Sequence, residues 1–181
     1  MRIKKNSGSC ILMLLGMVLM GLLSVAAGAE VEKVVKDSMK RFSLKAPASW
    51  KVAESADGSS ITIVGEEASF TIYPSYRGND LEALHRRMAL QFATRALEGP
   101  PKNNKIKWEK RRVGNEKALE SVYEIKGGSE DTHEKYRVHV ITLDGEKHKF
   151  TIVFTLPLEL ADKNGLEGRL MKMVEGFSEA N

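Results

Sequence analysis

A single cysteine, Cys10, is all the thiol chemistry this 181-residue chain carries, and it lies at the head of an apolar N-terminal run. Without a second cysteine there is no intrachain disulfide, and outside that run there is neither a thiolate nucleophile nor a thiolate metal ligand. Also missing are a G-x-S-x-G elbow, an H-E-x-x-H helix, a G-x-x-x-x-G-K phosphate loop and a dinucleotide-binding G-x-G-x-x-G. The local signatures of serine hydrolases, zinc proteases, P-loop nucleotidases and Rossmann oxidoreductases are therefore absent, although a catalytic group assembled from distant residues leaves no such mark. No internal repeat, low-complexity tract or linker-like stretch interrupts the chain, which reads as one domain.

The positive charge is smaller than it looks. The formal +4 includes Arg2, Lys4 and Lys5, which precede an uncharged stretch from Cys10 to Ala27 and an Ala27-Gly28-Ala29 step. A basic start, an apolar run and a small-residue site make the pattern of a secretory signal cleaved after Ala29. Residues 1–29 are thus expected to be a signal peptide, 30–41 an N-terminal leader and 42–181 the folded domain. The run approaches the ~18 residues of a membrane span, which makes an uncleaved anchor the alternative. Cys10 precedes the apolar core, whereas a lipid-attachment cysteine would follow it. Without the signal, Lys+Arg fall from 28 to 25 against 24 Asp+Glu over 152 residues, a near-neutral chain that is no general polyanion binder. A chain of that length buries about 68–70% of its unfolded surface and needs no covalent staples. Export without disulfides points to a bacterial periplasmic or secreted setting.

Periodicity gives the elements. Val31, Val34, Val35 and Met39 in "EVEKVVKDSMKR" suit a short helix or a loosely held leader equally well. "FSLKAP" alternates as a strand that Pro47 stops, since proline cannot donate to a ladder, and Trp50 and Val52 follow on the return. Ile61 and Ile63, then Phe70 and Ile72, mark two strands around Gly65. Asn79 and Glu82 resemble a capping box ahead of Leu81, Leu84, Met88 and Phe92 at helical spacing, and Gly99-Pro100-Pro101 ends that helix. "KIKWEKRRV", "ALESVYEIK", "EKYRVHVITL" and "HKFTIVFTLP", joined by short turns, read as a four-stranded meander. A last helix presents Leu166, Leu170, Met173, Val174 and Phe177 on one face, with Asn164 and Glu167 as its cap and Gly176 as its stop. The expected fold is α/β of the α+β kind: an antiparallel sheet of about six to seven strands flanked by helices that hide its apolar surface.

A strand ending in proline, a tryptophan three residues later ("FSLKAPASW"), and this order of strands and helices resemble the PsbP-like superfamily of α/β/α folds over Phe42 to Phe177. The resemblance implies a protein-binding accessory rather than a catalyst, because the better-known members, a photosystem II extrinsic protein and a nuclear Ran-binding protein, work that way. It carries over no functional residue to any position here.

The residues with most chemistry are the four histidines and one basic stretch. If the apolar sets of the last hairpin, Tyr136, Val138 and Val140 with Phe150, Ile152, Phe154 and Leu156, share a face, the turn between them is odd-numbered and His139 and His148 lie on opposite faces; a two-residue Asp144-Gly145 turn would put them on one face. His133 and Glu134, beside Glu130 and Asp131, read as a solvated acidic loop rather than a cation site. His85 is expected with Arg86, Arg87 and Arg95 on the solvent face of the first helix. "KNNKIKWEKRR" sets Lys102, Lys105, Lys107, Lys110, Arg111 and Arg112 around Trp108. It suits an edge strand whose lysines deter aggregation while Trp108 packs inward, and if it acts it faces an acidic partner surface or an anionic lipid, with Arg111 and Arg112 most involved. Tyr73, Tyr76 and Arg77 sit with Pro74 and Gly78 in the loop before the first helix, where two exposed aromatics beside an arginine make a contact spot, although tyrosines packed into the core or the loop are the simpler reading.

These readings give an exported, non-enzymatic accessory of the cell envelope that binds another protein through Lys107, Lys110, Arg111, Arg112, Tyr76 and Arg77. No cofactor, metal or nucleic acid is expected. Two other readings stand beside it. One is a carrier of a hydrophobic ligand, with a pocket between sheet and first helix lined by Phe70, Met88, Phe92 and Phe154. The other is a hydrolase whose cleft gathers His133 or His139 with a serine and a carboxylate.

Overall fold

Alternating side chains build the outer strands of this protein, and continuous apolar burial builds the central ones. The computed structural model describes residues 31–65, 67–102, 105–127, 134–161 and 165–180. Strands β1 (Glu32–Lys36), β2 (Phe42–Pro47) and β10 (Ser178–Glu179) form a small antiparallel sheet in the order β1-β2-β10. Strands β3 (Lys51–Glu54), β4 (Ile61–Val64), β5 (Ser69–Tyr76), β6 (Glu109–Val113), β7 (Glu116–Lys126), β8 (Lys135–Asp144) and β9 (His148–Pro157) form a seven-stranded antiparallel sheet in the order β3-β4-β5-β9-β8-β7-β6. Helix α1 (Leu81–Ala93) links β5 to the β6–β9 meander, and α2 (Leu158–Ala161) and α3 (Leu166–Glu175) follow β9. The described residues belong to one folded unit, and none of their helices is long and apolar enough to cross a membrane.

Both faces of the large sheet are covered, which explains its central strands. On one face Phe70, Ile72, Ile141, Leu143, Phe150, Ile152 and Phe154 pack against Phe42 and Leu44 of β2 and Leu170 and Val174 of α3. On the other, Ala89 and Ala93 of α1 pack over Val138, Val140 and Val153. The layers are therefore helix, sheet, and small sheet with α3, the three-layer α+β arrangement expected from the order of elements.

The proline-to-tryptophan step in "FSLKAPASW" finds its purpose in this packing. Pro47 is the last residue of β2, and the chain turns there, with Trp50 N–H donating to Pro47 O at 3.1 Å. The indole then lies flat on Gly65 at the β4–β5 turn, so close that a Cβ there would stand 2.3 Å from Trp50 Cε2. The tryptophan ties the start of the small sheet to the large one.

Several expectations need correction. The stretch after Val31 is neither a helix nor a leader, because residues 32–36 pair along their whole length with β2. "FSLKAP" belongs to the small sheet, and the seventh strand of the large one is β3. Asp80, not Asn79, caps α1, accepting from Ala83 N–H at 2.7 Å. Gly165 stands at the N-cap of α3 in the left-handed region, φ 63°, while Asn164 lies outside the described residues. In the last hairpin Asp144 pairs with Lys149 and His139 with Phe154, so His139, Ile141 and Leu143 share a face with Phe150, Ile152 and Phe154. Apolar alternation could not fix this parity, because β8 is buried on both faces and either parity looks apolar. His139 and His148 thus share a face but stand about 20 Å apart along the strand. Finally, Phe70 and Phe154 lie on the face opposite Met88 and Phe92. The proposed hydrophobic carrier pocket is two separate cores.

Candidate functional site

The β6–β7 hairpin closes the large sheet on one side, and its geometry follows from two turn residues. Gly114 takes φ 57°, and the two-residue Gly114-Asn115 turn brings Val113 opposite Glu116. A two-residue turn closes on a hydrogen-bonded pair, so Val113, Arg111 and Glu109 exchange backbone bonds with β7. Leu97 N–H donating to Glu124 O at 2.7 Å fixes the same parity, since it turns the even-numbered residues of β7 outward toward β6. The N–H and C=O of Lys110 and Arg112 therefore point away from the sheet. β6 is the last strand in the order, and among the described residues nothing pairs with that edge.

Side chains divide by the same parity. Lys110 and Arg112 are exposed on the α1 face, with Lys105, Lys107 and Lys117 nearby and exposed as well. Arg112 is steadied by its own turn, donating to Asn115 O at 3.0 Å. Arg86 of α1 lies 5.7 Å above the Trp108 ring, adding a further cation to this side. Arg111 behaves differently. It projects to the other face and is held by Glu120 at 2.6 Å, half-buried.

Behind Arg111 a chain of charges runs across the sheet. Glu120 takes Arg111 on Oε2 and His139 Nδ1 on Oε1 at 2.9 Å. His139 Nε2 stands 2.8 Å from Glu167 Oε1 of α3, out of line for a hydrogen bond. Glu167 Oε2 accepts from Arg137 at 3.0 Å, and Arg137 reaches Glu124 at 3.1 Å. The imidazole is stacked on Phe154 with centroids 4.3 Å apart. Burial pushes the Glu120 carboxyl up, but the hydrogen bonds from His139 and Arg111 outweigh it and hold it below the usual carboxylate range. This row lines a groove of about 920 Å³ bounded by Trp108, Val122 and Met171, with Val122 48% exposed at its floor.

His85 is the largest departure from expectation. It is fully buried between α1 and the sheet, not on the solvent face. Ser121 donates its hydroxyl proton to Lys107 O at 2.7 Å, so its oxygen accepts from His85 Nε2 at 2.9 Å. Nδ1 is then the acceptor, taking the Thr142 hydroxyl at 2.9 Å. Burial lowers the imidazole pKa to about 4, so it is neutral at physiological pH. This bears on the hydrolase reading, since the pair is wired in the wrong direction for a nucleophile: the histidine donates to the serine, whose proton is committed to a backbone carbonyl.

The six residues named from sequence are not one patch. Lys107, Lys110 and Arg112 gather at the β6 edge, and Arg111 is drawn into the groove. Tyr76, 86% exposed, and Arg77 stand at the end of β5. β9, β8 and β7 lie between, about 19 Å across four strand spacings. Tyr73 packs into the α1 core. His148 Nδ1 meets Glu179 at 2.9 Å, and Glu130, Asp131 and His133 lie outside the described residues. Among the described residues no His, Cys, Asp or Glu cluster has metal-ligating geometry. Sequence reasoning missed the Glu120–His139–Glu167 row; its only signal was charge, Glu120 and His139, placed inside strands that otherwise read as apolar.

No family profile matches the sequence, and neither does any curated protein. Solved structures do match. The cyanobacterial PsbP of Synechocystis is 9% identical over 85% of this chain and 95% of its own, at TM-score 0.55. A protein from Bacteroides thetaiotaomicron is 15% identical over 83% of this chain, at TM-score 0.54, and this chain spans 48% of its length. A Ran-binding protein of Saccharomyces cerevisiae is 15% identical over 83% of this chain and 96% of its own, at TM-score 0.48. The fold is PsbP-like, as the element order implied.

Proposed function

We propose that this PsbP-like chain is an exported, non-catalytic accessory that holds an acidic protein against the β6 edge. The observation that carries the reading is the division within "KRR": Arg111 is satisfied by Glu120, whereas Lys110 and Arg112 reach no carboxylate among the described residues and flank an unpaired strand edge. Lys105, Lys107, Lys117 and Arg86 extend the positive field around Trp108, and opposite charge on a partner speeds encounter and fixes register. The N-terminal apolar run supports export, and the direction of the Ser121–His85 bond supports a role without catalysis. The cyanobacterial PsbP likeness supports the fold on which such a role rests.

In-host crosslinking through a photo-reactive residue at position 117, exposed and facing Arg112, with mass spectrometry of the adducts, tests the proposal. One reproducible acidic partner is expected, lost in the Lys110→Glu/Arg112→Glu variant, which should keep its stability to within about 0.5 kcal/mol because both side chains are exposed. A partner retained in full by that variant would overturn the assignment of the surface.

A further inference from the structure

The β6 edge is more than a charged surface, because its backbone and its side chains alternate in step. Lys110 and Arg112 turn both N–H and C=O outward, and among the described residues their side chains, exposed on the α1 side, form no salt bridge. Arg111 between them turns its backbone inward to β7 and its guanidinium to Glu120. We infer that the acidic partner adds an extended segment to β6 as an eighth strand of the large sheet, with carboxylates at alternate positions beside Lys110 and Arg112. This rests on the acidic-partner reading and gives it a sequence rule.

The geometry dictates the rule. A strand added to an edge bonds through every second residue, and side chains of directly facing residues fall on the same side of the sheet about 4.5–5.5 Å apart. The residues facing Lys110 and Arg112 thus lie on the α1 side, two positions apart, within reach of both cations. Those between fall on the other side near Arg111 and the mouth of the groove, where Val122 and Met171 offer apolar contact. The segment is therefore acidic at i and i+2 and apolar or small between. Peptide capture by strand addition draws its affinity from main-chain bonds and its selectivity from alternate side chains. The same alternation disfavours a second copy of this chain as occupant: two antiparallel β6 strands would set Lys110 and Arg112 against each other, like charge facing like.

The probe is a capped peptide of about ten residues alternating Glu and Thr, titrated into ¹⁵N-labelled protein with amide exchange read residue by residue. On saturation, exchange at Lys110 and Arg112 should slow by about tenfold or more, while Glu109 and Arg111, already bonded to β7, should not change. N-methylation of alternate peptide amides should abolish binding with the charge intact, and so should Lys110→Glu/Arg112→Glu. Binding that depends on the two cations but leaves their amides unprotected, or that survives N-methylation, overturns strand addition and leaves the acidic-partner reading standing. No binding of this peptide, together with no acidic adduct at position 117, overturns both. Binding to phosphatidylglycerol vesicles but not to the peptide assigns the edge to a lipid surface and also overturns both.

Discussion

His85 Nε2 donates to Ser121 Oγ across 2.9 Å, joining α1 to β7 in a buried run that ends on the Lys107 carbonyl. The residue carrying that carbonyl immediately precedes Trp108, so the relay fixes where the chain enters β6. A proton added to this imidazole would make Nδ1 a donor, and the Thr142 hydroxyl would have to turn from donating to accepting.

The first prediction is a pH effect with a worked sign. His85 titrates at about 4 in the folded chain and at its usual 6.5 when unfolded. Between these values the unfolded state binds the extra proton, so stability is full above pH 6.5 and falls as pH drops toward 4. The loss is at most about 3 kcal/mol for this one group, at 1.36 kcal/mol per unit. Urea unfolding of the protein and of His85→Gln at pH 4.5 and 7 checks it: the parent should weaken on acidification more than the variant does.

A second prediction concerns Gly65. An alanine methyl there meets Trp50 Cε2 at 2.3 Å and Cζ2 and Nε1 at 2.7 Å, and a ring cannot yield as a flexible chain end does. Gly65→Ala should cost about 1–3 kcal/mol, as overpacking does. Trp50→Val made alongside it should recover part of that loss, so a double-mutant cycle by chemical denaturation should return a coupling of about 1 kcal/mol or more.

A third prediction separates Arg111 from its neighbours. Removing Glu120 strands a partly buried guanidinium and one face of a buried imidazole, so Glu120→Ala should destabilise by about 3 kcal/mol. Replacing both charges, Arg111→Met with Glu120→Leu, should cost less than Glu120→Ala alone, because no charge is then left unpaired. The groove should nevertheless change shape, seen as altered chemical shifts at His139 and Val122.

How much of this was legible beforehand depends on what each residue answers to. The helices and hairpins were readable where local chemistry fixes them: Leu84 and Met88 on a helical stripe, Gly114-Asn115 in a tight turn, Pro47 at a strand end. Parity in the β8–β9 hairpin was not, because apolar residues on both faces erase the alternation that would reveal it. β1 was missed for a related reason: Val31 and Val34 are exposed on an edge, so its partner strand and not its own pattern makes it a strand. The charged row was hidden because Glu120, Arg137, His139 and Glu167 come from three separate segments, and only the fold sets them side by side. The basic edge was visible as composition. That Arg111 faces one way and Lys110 and Arg112 the other required the register.

The last prediction reads one carboxylate through another. Glu179 of β10 accepts the N–H groups of Lys147 and His148 at 3.1 and 2.7 Å and also His148 Nδ1, fastening the C-terminal strand to the β8–β9 turn. Burial works against its ionised form, but these donors outweigh it and keep its pKa below the usual range. Glu116 at the start of β7 is shifted the opposite way, upward, first by burial and then by the negative charges of Glu179, Glu146 and Asp144. Glu179→Gln keeps the shape while removing a charge, so Glu116 should titrate lower in that variant, read by carbon-detected NMR of the side-chain carboxyl. The neutral amide also accepts hydrogen bonds more weakly than the carboxylate, so amide exchange at Lys147 and His148 should quicken. An unchanged Glu116 titration would mean that Glu146 and Asp144, on the turn itself, carry the whole repulsion and that β10 is fastened by hydrogen bonding alone.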